Sequence, residues 1–235
     1  MLDIMFLWGD HMHNLDLIDV LSGAFPFFDD LSENDKNFLC ENSTKLKYKK
    51  GRNVHDGNEC TGLILVRTGM LRIYMLSEDG KEITLYRLSS GGMCMLSASC
   101  VIKSITFDVF VDAEEDSDCI VINGGAFADL SERVADVKIF ALEGAVSRFS
   151  EVMWVMQQIL FMSVDRRLAK FLFDEISKTG GDTVRLTHEQ IAKYIGSARE
   201  VVSRMLKYFS SEGIVELSRG GIKILDKDGL LALTL

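Results

Sequence analysis
Between about residues 44 and 122, apolar and polar positions alternate over short runs, and glycines punctuate those runs. "GLILVRTGMLRIYML" (62–76) alternates on both sides of Gly69, and "SEDGKEITLYRL" (77–88) sets Asp79-Gly80 between two apolar stretches. A period of two marks half-buried strands, and an Asp-Gly between such strands marks a hairpin. "ITFDVFVDAEED" (105–116) and "DCIVIN" (118–123) extend the series, which predicts a closed roll or jelly roll that hides its sheet edges. After Gly124-Gly125 the period changes. Leu142, Ala145, Phe149, Val152, Met156 and Ile159 are spaced 3, 4, 3, 4, 3, the 3.5-residue repeat of a coiled-coil seam. One helix from about 134 to 162 would be ~43 Å long. So narrow a stripe covers too little for a globular core face, and predicts pairing with a second copy of the chain.

A second helix is predicted from Asp165 to Lys178, buried through Leu168, Phe171, Leu172 and Ile176, and "TGGD" (179–182) breaks it. In "LTHEQIAKYIG" (186–196), Thr187 stands three residues ahead of Gln190, as in a capping box, and Gly196 supplies a turn. "SAREVVSRMLKYF" (197–209) is then strongly two-faced. At about 100° per residue, Arg199, Glu200, Ser203 and Arg204 share an arc of roughly 140°. Val202, Met205, Leu206 and Phe209 share about 100° opposite, the width of a buried stripe. "GIVELSRGGIKIL" (213–225) adds two strands around Arg219-Gly220-Gly221. Helix, turn, helix and a two-stranded wing form a DNA-reading arrangement, with the 197–209 helix as reader.

Composition narrows the class. The 235 residues are 47% hydrophobic and 26% charged with one proline, which describes a globular chain. No apolar run approaches the ~20 residues of a membrane span. The opening "MLDIMFLWGDHMHN" has no basic stretch and carries Asp3, unlike a signal peptide. Five irregularly spaced cysteines then read as thiols of a reducing cytoplasm, and the expected location is cytoplasmic, without membrane contact. The net charge of −9 disfavours a nucleic-acid partner until its distribution is read. Residues 164–235 hold 12 Lys+Arg against 10 Asp+Glu, a balance of +2, and the rest carry −11. A slightly basic C-terminal module hangs on an acidic body.

Four stretches in this order, "FPFFDDLSENDKNFL", "KKGRNVHDGNECTGLILVRTGMLRIYMLSEDGKEITLYRLSSGG", "FMSVDRRLAKFL" and "LTHEQIAKYIGSAREVVSRMLKYFSSEGIVELSRGGIKI", resemble the Crp/Fnr superfamily of bacterial transcription regulators over nearly the whole chain. The resemblance implies an α+β protein. A cyclic-nucleotide-binding-like β-roll would occupy residues 1–133, a dimerisation helix 134–163, and a winged helix-turn-helix 164–235. It implies a homodimer on palindromic double-stranded DNA, answering an effector in the roll and working with RNA polymerase. By motif, Arg199, Glu200 and Arg204 match base-reading positions, and Ser203 stands where members differ. The chemistry fits: arginine forks to guanine, and glutamate accepts from the amine of cytosine. Thr187, His188, Ser197 and Lys207 are expected at phosphates.

Members that bind cyclic AMP carry a Gly-Glu pair and, about ten residues on, an Arg followed by Ser or Thr. Here Met95-Leu96 and Thr106-Phe107 take those places, and Val152 and Met153 stand where such members use hydroxyls. No guanidinium remains for a cyclic phosphate, so no cyclic nucleotide is expected. The iron–sulfur members place a cysteine cluster ahead of the roll, and no cysteine precedes Cys40 here. The remaining effector region is soft and apolar: Met93, Cys94, Met95, Cys100, Val152 and Met153, with Phe107 nearby. Four readings stay open. These residues fill space; Cys94 and Cys100 form a redox switch, which requires a bend between them; haem binds through His11, His13, His55 or a cysteine; or a small organic effector binds. No nucleophile triad, phosphate loop or metal-spaced cluster suggests an enzyme. The alternative from another class is a ligand- or redox-sensing module acting through a protein partner.

Overall fold
In the computed structural model, residues 17–57, 60–95 and 108–234 are described. They divide into two compact units, one running to Ile73 and resuming over Tyr86–Phe149, the other comprising Tyr74–Leu85 and Ser150–Leu235.

The first unit is built on antiparallel sheet. Its strands are β1 (Ser43–Tyr48), β2 (Asn53–His55), β3 (Leu63–Thr68), β4 (Leu71–Leu76), β5 (Glu82–Leu88), β6 (Met93–Cys94), β7 (Phe110–Ala113) and β8 (Ser117–Ile122), with the middle of the β4–β5 hairpin counted in the second unit. They form two four-stranded sheets, ordered β1-β8-β3-β6 and β2-β7-β4-β5. Gly69 turns β3 into β4 at φ +89°, where a Cβ would collide with Ser117 and the carbonyl of Asp116. Only glycine fits so close a passage. Asp79-Gly80 closes the next hairpin as expected, with Ser77 N–H donating to the Lys81 carbonyl at 2.9 Å.

Three helical segments that the strand pattern did not reveal accompany these sheets: α1 (17–24), α2 (Glu33–Glu41) and α3 (Gly124–Arg133). Ser32 caps α2 by accepting from Asp35 N–H, and Asn123 caps α3 by accepting from Ala126 N–H. Leu21 of α1, Phe25 and Phe28 of the turn that follows it, and Phe127 and Leu130 of α3 meet Leu63, Leu65, Ile120 and Ile122 of the sheet in one buried core. Each such side chain contributes roughly 1.5–3 kcal/mol on burial.

The long helix α4 runs over Ala135–Phe161, and the boundary between the units falls within it. Phe140 sets its start against Phe25 and Phe27 in edge-on contacts of 5.4 and 5.3 Å between ring centres. Beyond that anchor the helix buries little. Of its 27 residues only Val137 and Ala141 are buried, while Leu142, Phe149 and Met156 of the expected seam are 53, 65 and 46% exposed.

The second unit continues through α5 (Val164–Thr179), β9 (Thr183–Val184), α6 (His188–Ile195), α7 (Arg199–Ser211), β10 (Val215–Ser218), β11 (Gly221–Ile224) and α8 (Lys227–Ala232). Its core joins Leu168, Leu172 and Ile176 of α5, Ile191 of α6, Val202, Leu206 and Phe209 of α7, and Ile222 and Ile224 of β11. The wing differs from the expected two strands: it is a three-stranded sheet ordered β10-β11-β9. Gly221, at φ +136°, lets β11 pass so close that a Cβ would lie 2.6 Å from the Val184 carbonyl oxygen. A two-residue strand has no periodicity to read, which hides β9 in the sequence. The tip of the β4–β5 hairpin also belongs here, where Lys193 Nζ donates to Glu82 Oε1 at 2.8 Å. Among the described residues no helix is long and apolar enough to cross a membrane.

Candidate nucleic-acid interface
Helix α6 starts where its sequence says it should. Thr187 Oγ1 accepts from Gln190 N–H at 3.2 Å, and Thr187 N–H donates to Gln190 Oε1 at 2.9 Å, so the capping box is complete. The same hydroxyl is therefore committed to the helix start. Gly196 ends α6 in the left-handed region, at φ 60° and ψ 51°. A Cβ on it would sit 3.3 Å from Ile159 Cδ1. Ser197 N–H closes the turn onto the Ala192 carbonyl at 2.9 Å, and α7 leaves at once.

Burial sets the rotation of α7. Val202, Leu206 and Phe209 are fully buried, with Met205 partly so, and the opposite face carries Arg199, Glu200, Arg204 and Lys207 exposed and Ser203 half-buried. Those five residues line one surface groove of about 440 Å³. Among the described residues, no salt bridge or side-chain hydrogen bond engages the side chains of Arg199, Arg204, Lys207 or the wing's Arg219. Glu200 lies in the first turn, where the helix dipole favours an anion. Beside the groove is a hollow of about 300 Å³, lined by Arg185, Thr187 and His188 on one side and by Ser218, Arg219 and Gly220 on the other. The two are linked by a bond the sequence did not announce: His188 Nδ1 lies 2.8 Å from Ser203 Oγ. Fifteen positions separate the pair, and only the crossing of α6 over α7 brings them together. Arg185 and Arg219 are likewise additions to the expected set, signalled in the sequence only by their places flanking the helix pair.

The expected effector residues lie elsewhere. Met93 and Cys94 form β6, half-buried and buried respectively, and Met95 sits in the apolar core of the first unit against Gly144 of α4. Val152 is half-buried and Met153 44% exposed on α4. Cys100, Thr106, Phe107, His11 and His13 lie outside the described residues. The expectation of five free thiols is corrected: Cys60 is disulfide-bonded. Cys40, Cys94 and Cys119 are buried thiols outside any disulfide, so the Cys94–Cys100 bridge is not formed. Burial, with Asp118 beside it, pushes the Cys119 thiol up to about 11, which disfavours a reactive thiolate. His55 Nδ1 lies 2.7 Å from Thr61 Oγ1. Among the described residues no cluster of His, Cys, Asp and Glu is arranged to hold a metal ion.

Residues 45–134 match the cyclic nucleotide-binding domain family, and residues 166–233 match the Crp-like helix-turn-helix domain family. A crystal structure from Eubacterium rectale, assigned to the crp/fnr family of transcriptional regulators, is 45% identical; the match covers 90% of this chain and 99% of that one with a TM-score of 0.86. The transcriptional regulator flp of Lacticaseibacillus casei is 23% identical over 211 residues, covering 89% of this chain and 95% of its own. The cAMP-activated global transcriptional regulator Vfr of Pseudomonas aeruginosa is 22% identical over 176 residues, 70% and 80% of the two chains.

The two described histidines of this fold have a common thermodynamic signature. Burial holds the His55 imidazole below its ordinary value of 6.5, against the opposing pull of Asp56 and Asp108. Burial and then the Arg199 charge lower His188. The unfolded chain therefore binds these protons more readily. Their contribution to stability is complete above about pH 6.5 and is lost as the pH falls toward the folded values. Urea denaturation should show stability falling from pH 7 to 5.5, with a shallower fall in His55→Gln. An unchanged slope in that variant would contradict the assignment.

Proposed function
The chain belongs to the Crp/Fnr family of transcription regulators, and on that premise we propose that it acts as a homodimer on two-fold symmetric promoter DNA, reading bases with the outer face of α7. The observation that carries this is the groove of Arg199, Glu200, Ser203, Arg204 and Lys207, whose cations form no salt bridge among the described residues. Arg199 and Arg204 each fork to a guanine, and Glu200 accepts from a cytosine amine. Lys207, Ser197 and the start of α6 at Thr187 and His188 meet phosphates, fixing register without specifying sequence. The half-sites contain G·C pairs and lie 10–11 bp apart, one turn of B-DNA. RNA polymerase is the partner that turns such binding into regulation.

The dimer is supported by α4. A helix that buries two residues of its own chain and exposes Leu142, Val146, Phe149 and Met156 leaves an apolar stripe for which a second copy is the matching surface. The effector is not a cyclic nucleotide. The Pseudomonas relative is described as activated by cAMP, but here Met95, at the first cassette position, is 3% exposed in the apolar core, and no cassette arginine follows. The output is binding rather than catalysis.

Three experiments test this reading. In competition at fixed salt against duplexes varied one base pair at a time, Arg204→Ala should lose ~1–3 kcal/mol per half-site for the preferred sequence and little for random DNA. Lys207→Ala should weaken all sequences alike and flatten the salt dependence. Equal loss of specific and non-specific binding in Arg204→Ala would remove α7 as the reader. Phe149→Glu, which would bury charge across the two-fold axis, should cost several kcal/mol of association and sediment as a monomer; an unaltered dimer refutes the seam. Calorimetry with cyclic AMP at millimolar concentration should give no saturable heat, and a micromolar dissociation constant would refute the pocket reading.

A further inference from the structure
The 2.8 Å contact between His188 Nδ1 and Ser203 Oγ joins a titratable group to the one residue of the reading face that can either give or take a hydrogen bond. Arginine can only donate and ionised glutamate only accept, so Arg199, Arg204 and Glu200 each have a fixed polarity. A serine hydroxyl has one proton and two lone pairs, and whichever partner takes the proton decides what the hydroxyl shows elsewhere. Ser203 is half-buried, touches His188 on one side and lines the groove with Arg199, Glu200, Arg204 and Lys207 on the other. His188 is likewise half-buried and lines the neighbouring hollow.

Resting on the reading of α7 as the base-reading helix, we propose that His188 is a positioning residue that sets the hydrogen-bond polarity of Ser203, and with it the base that Ser203 accepts. When the imidazole is neutral and holds its proton on Nε2, available to a DNA phosphate, Nδ1 is an acceptor. The Ser203 proton then points to Nδ1, and its lone pairs face the groove. In that state Ser203 accepts from an exocyclic amine, N6 of adenine or N4 of cytosine. An imidazolium donates from both nitrogens. Nδ1–H then points to Oγ, the serine proton turns outward, and Ser203 donates to O6 or N7 of guanine, N7 of adenine or O4 of thymine, but finds no acceptor on cytosine. The charges facing His188 are Arg199 from α7, Arg219 from the wing and Arg185 ahead of the helix, with Glu189 next in the chain. Burial first and the Arg199 charge second hold the ring below its ordinary value, which keeps it neutral near pH 7 and reserves the second state for acid conditions.

The test is selection of bound sequences from a randomised duplex pool at pH 7.5 and 5.5, at one ionic strength, with the full-length protein. The parent protein should enrich one motif whose guanines are the same at both pH values, because arginine does not titrate in this range. At a single base pair per half-site the affinity for guanine or thymine relative to cytosine should rise on going to pH 5.5, by about two- to tenfold, the worth of one hydrogen bond. His188→Asn, which keeps a polar atom near Nδ1 without a titration, should enrich the same base at both pH values. Ser203→Ala should lose the preference at that pair while keeping the rest of the motif. A parent preference that does not move with pH overturns the proposal, as does a shift that survives in His188→Asn or in Ser203→Ala. If the parent enriches no sequence at either pH, the DNA-reading assignment itself fails, and the proposal falls with it.

Discussion
Burial of Val202, Leu206 and Phe209 is the constraint on which the reading face depends. A helix turns about 100° per residue, so three fully buried positions fix its rotation with no freedom left. Arg199, Glu200, Ser203 and Arg204 then face outward without any interaction having to hold them there. The capping box at Thr187 and the left-handed turn at Gly196 fix where α6 ends and α7 begins. Packing of α7 on α5, α6 and β10 fixes its position in the unit. An electrostatic face is thus positioned by apolar contacts, which do not weaken when salt rises, while the face itself remains responsive to salt.

Much of this was legible in the sequence because periodicity and punctuation agree. The 3.6-residue stripe of α7, the Thr187–Gln190 cap, Gly196 and the Asp79-Gly80 hairpin are local signals, and each reports its own element. What escaped depends on contacts between distant positions. Strand β9 is two residues long and exists through its pairing with β11. Helices α1 to α3 bury only part of a face against the sheets, so their stripes are short. The His188–Ser203 bond arises from the crossing of two helices, and no spacing in one helix can announce it. The cysteines mislead for a related reason: a disulfide at Cys60 is a fact of proximity, and composition reports only a count.

Helix α4 shows the same logic from the other side. Its first turns are held by Phe140 between Phe25 and Phe27, and its later turns carry large apolar groups outward. Association through this stripe would place two copies of α7 in one symmetric arrangement, and two weak readings of a half-site would become one strong reading of a palindrome.

The central claim is that the outer face of α7 touches base edges. The most direct measurement is a crystal structure of the protein on a duplex that it selects. The account predicts α7 in the major groove, Arg199 and Arg204 within hydrogen-bond reach of guanine O6 and N7, and Glu200 at a cytosine N4. A complex in which the duplex lies against another surface, with the α7 groove open to solvent, would contradict it.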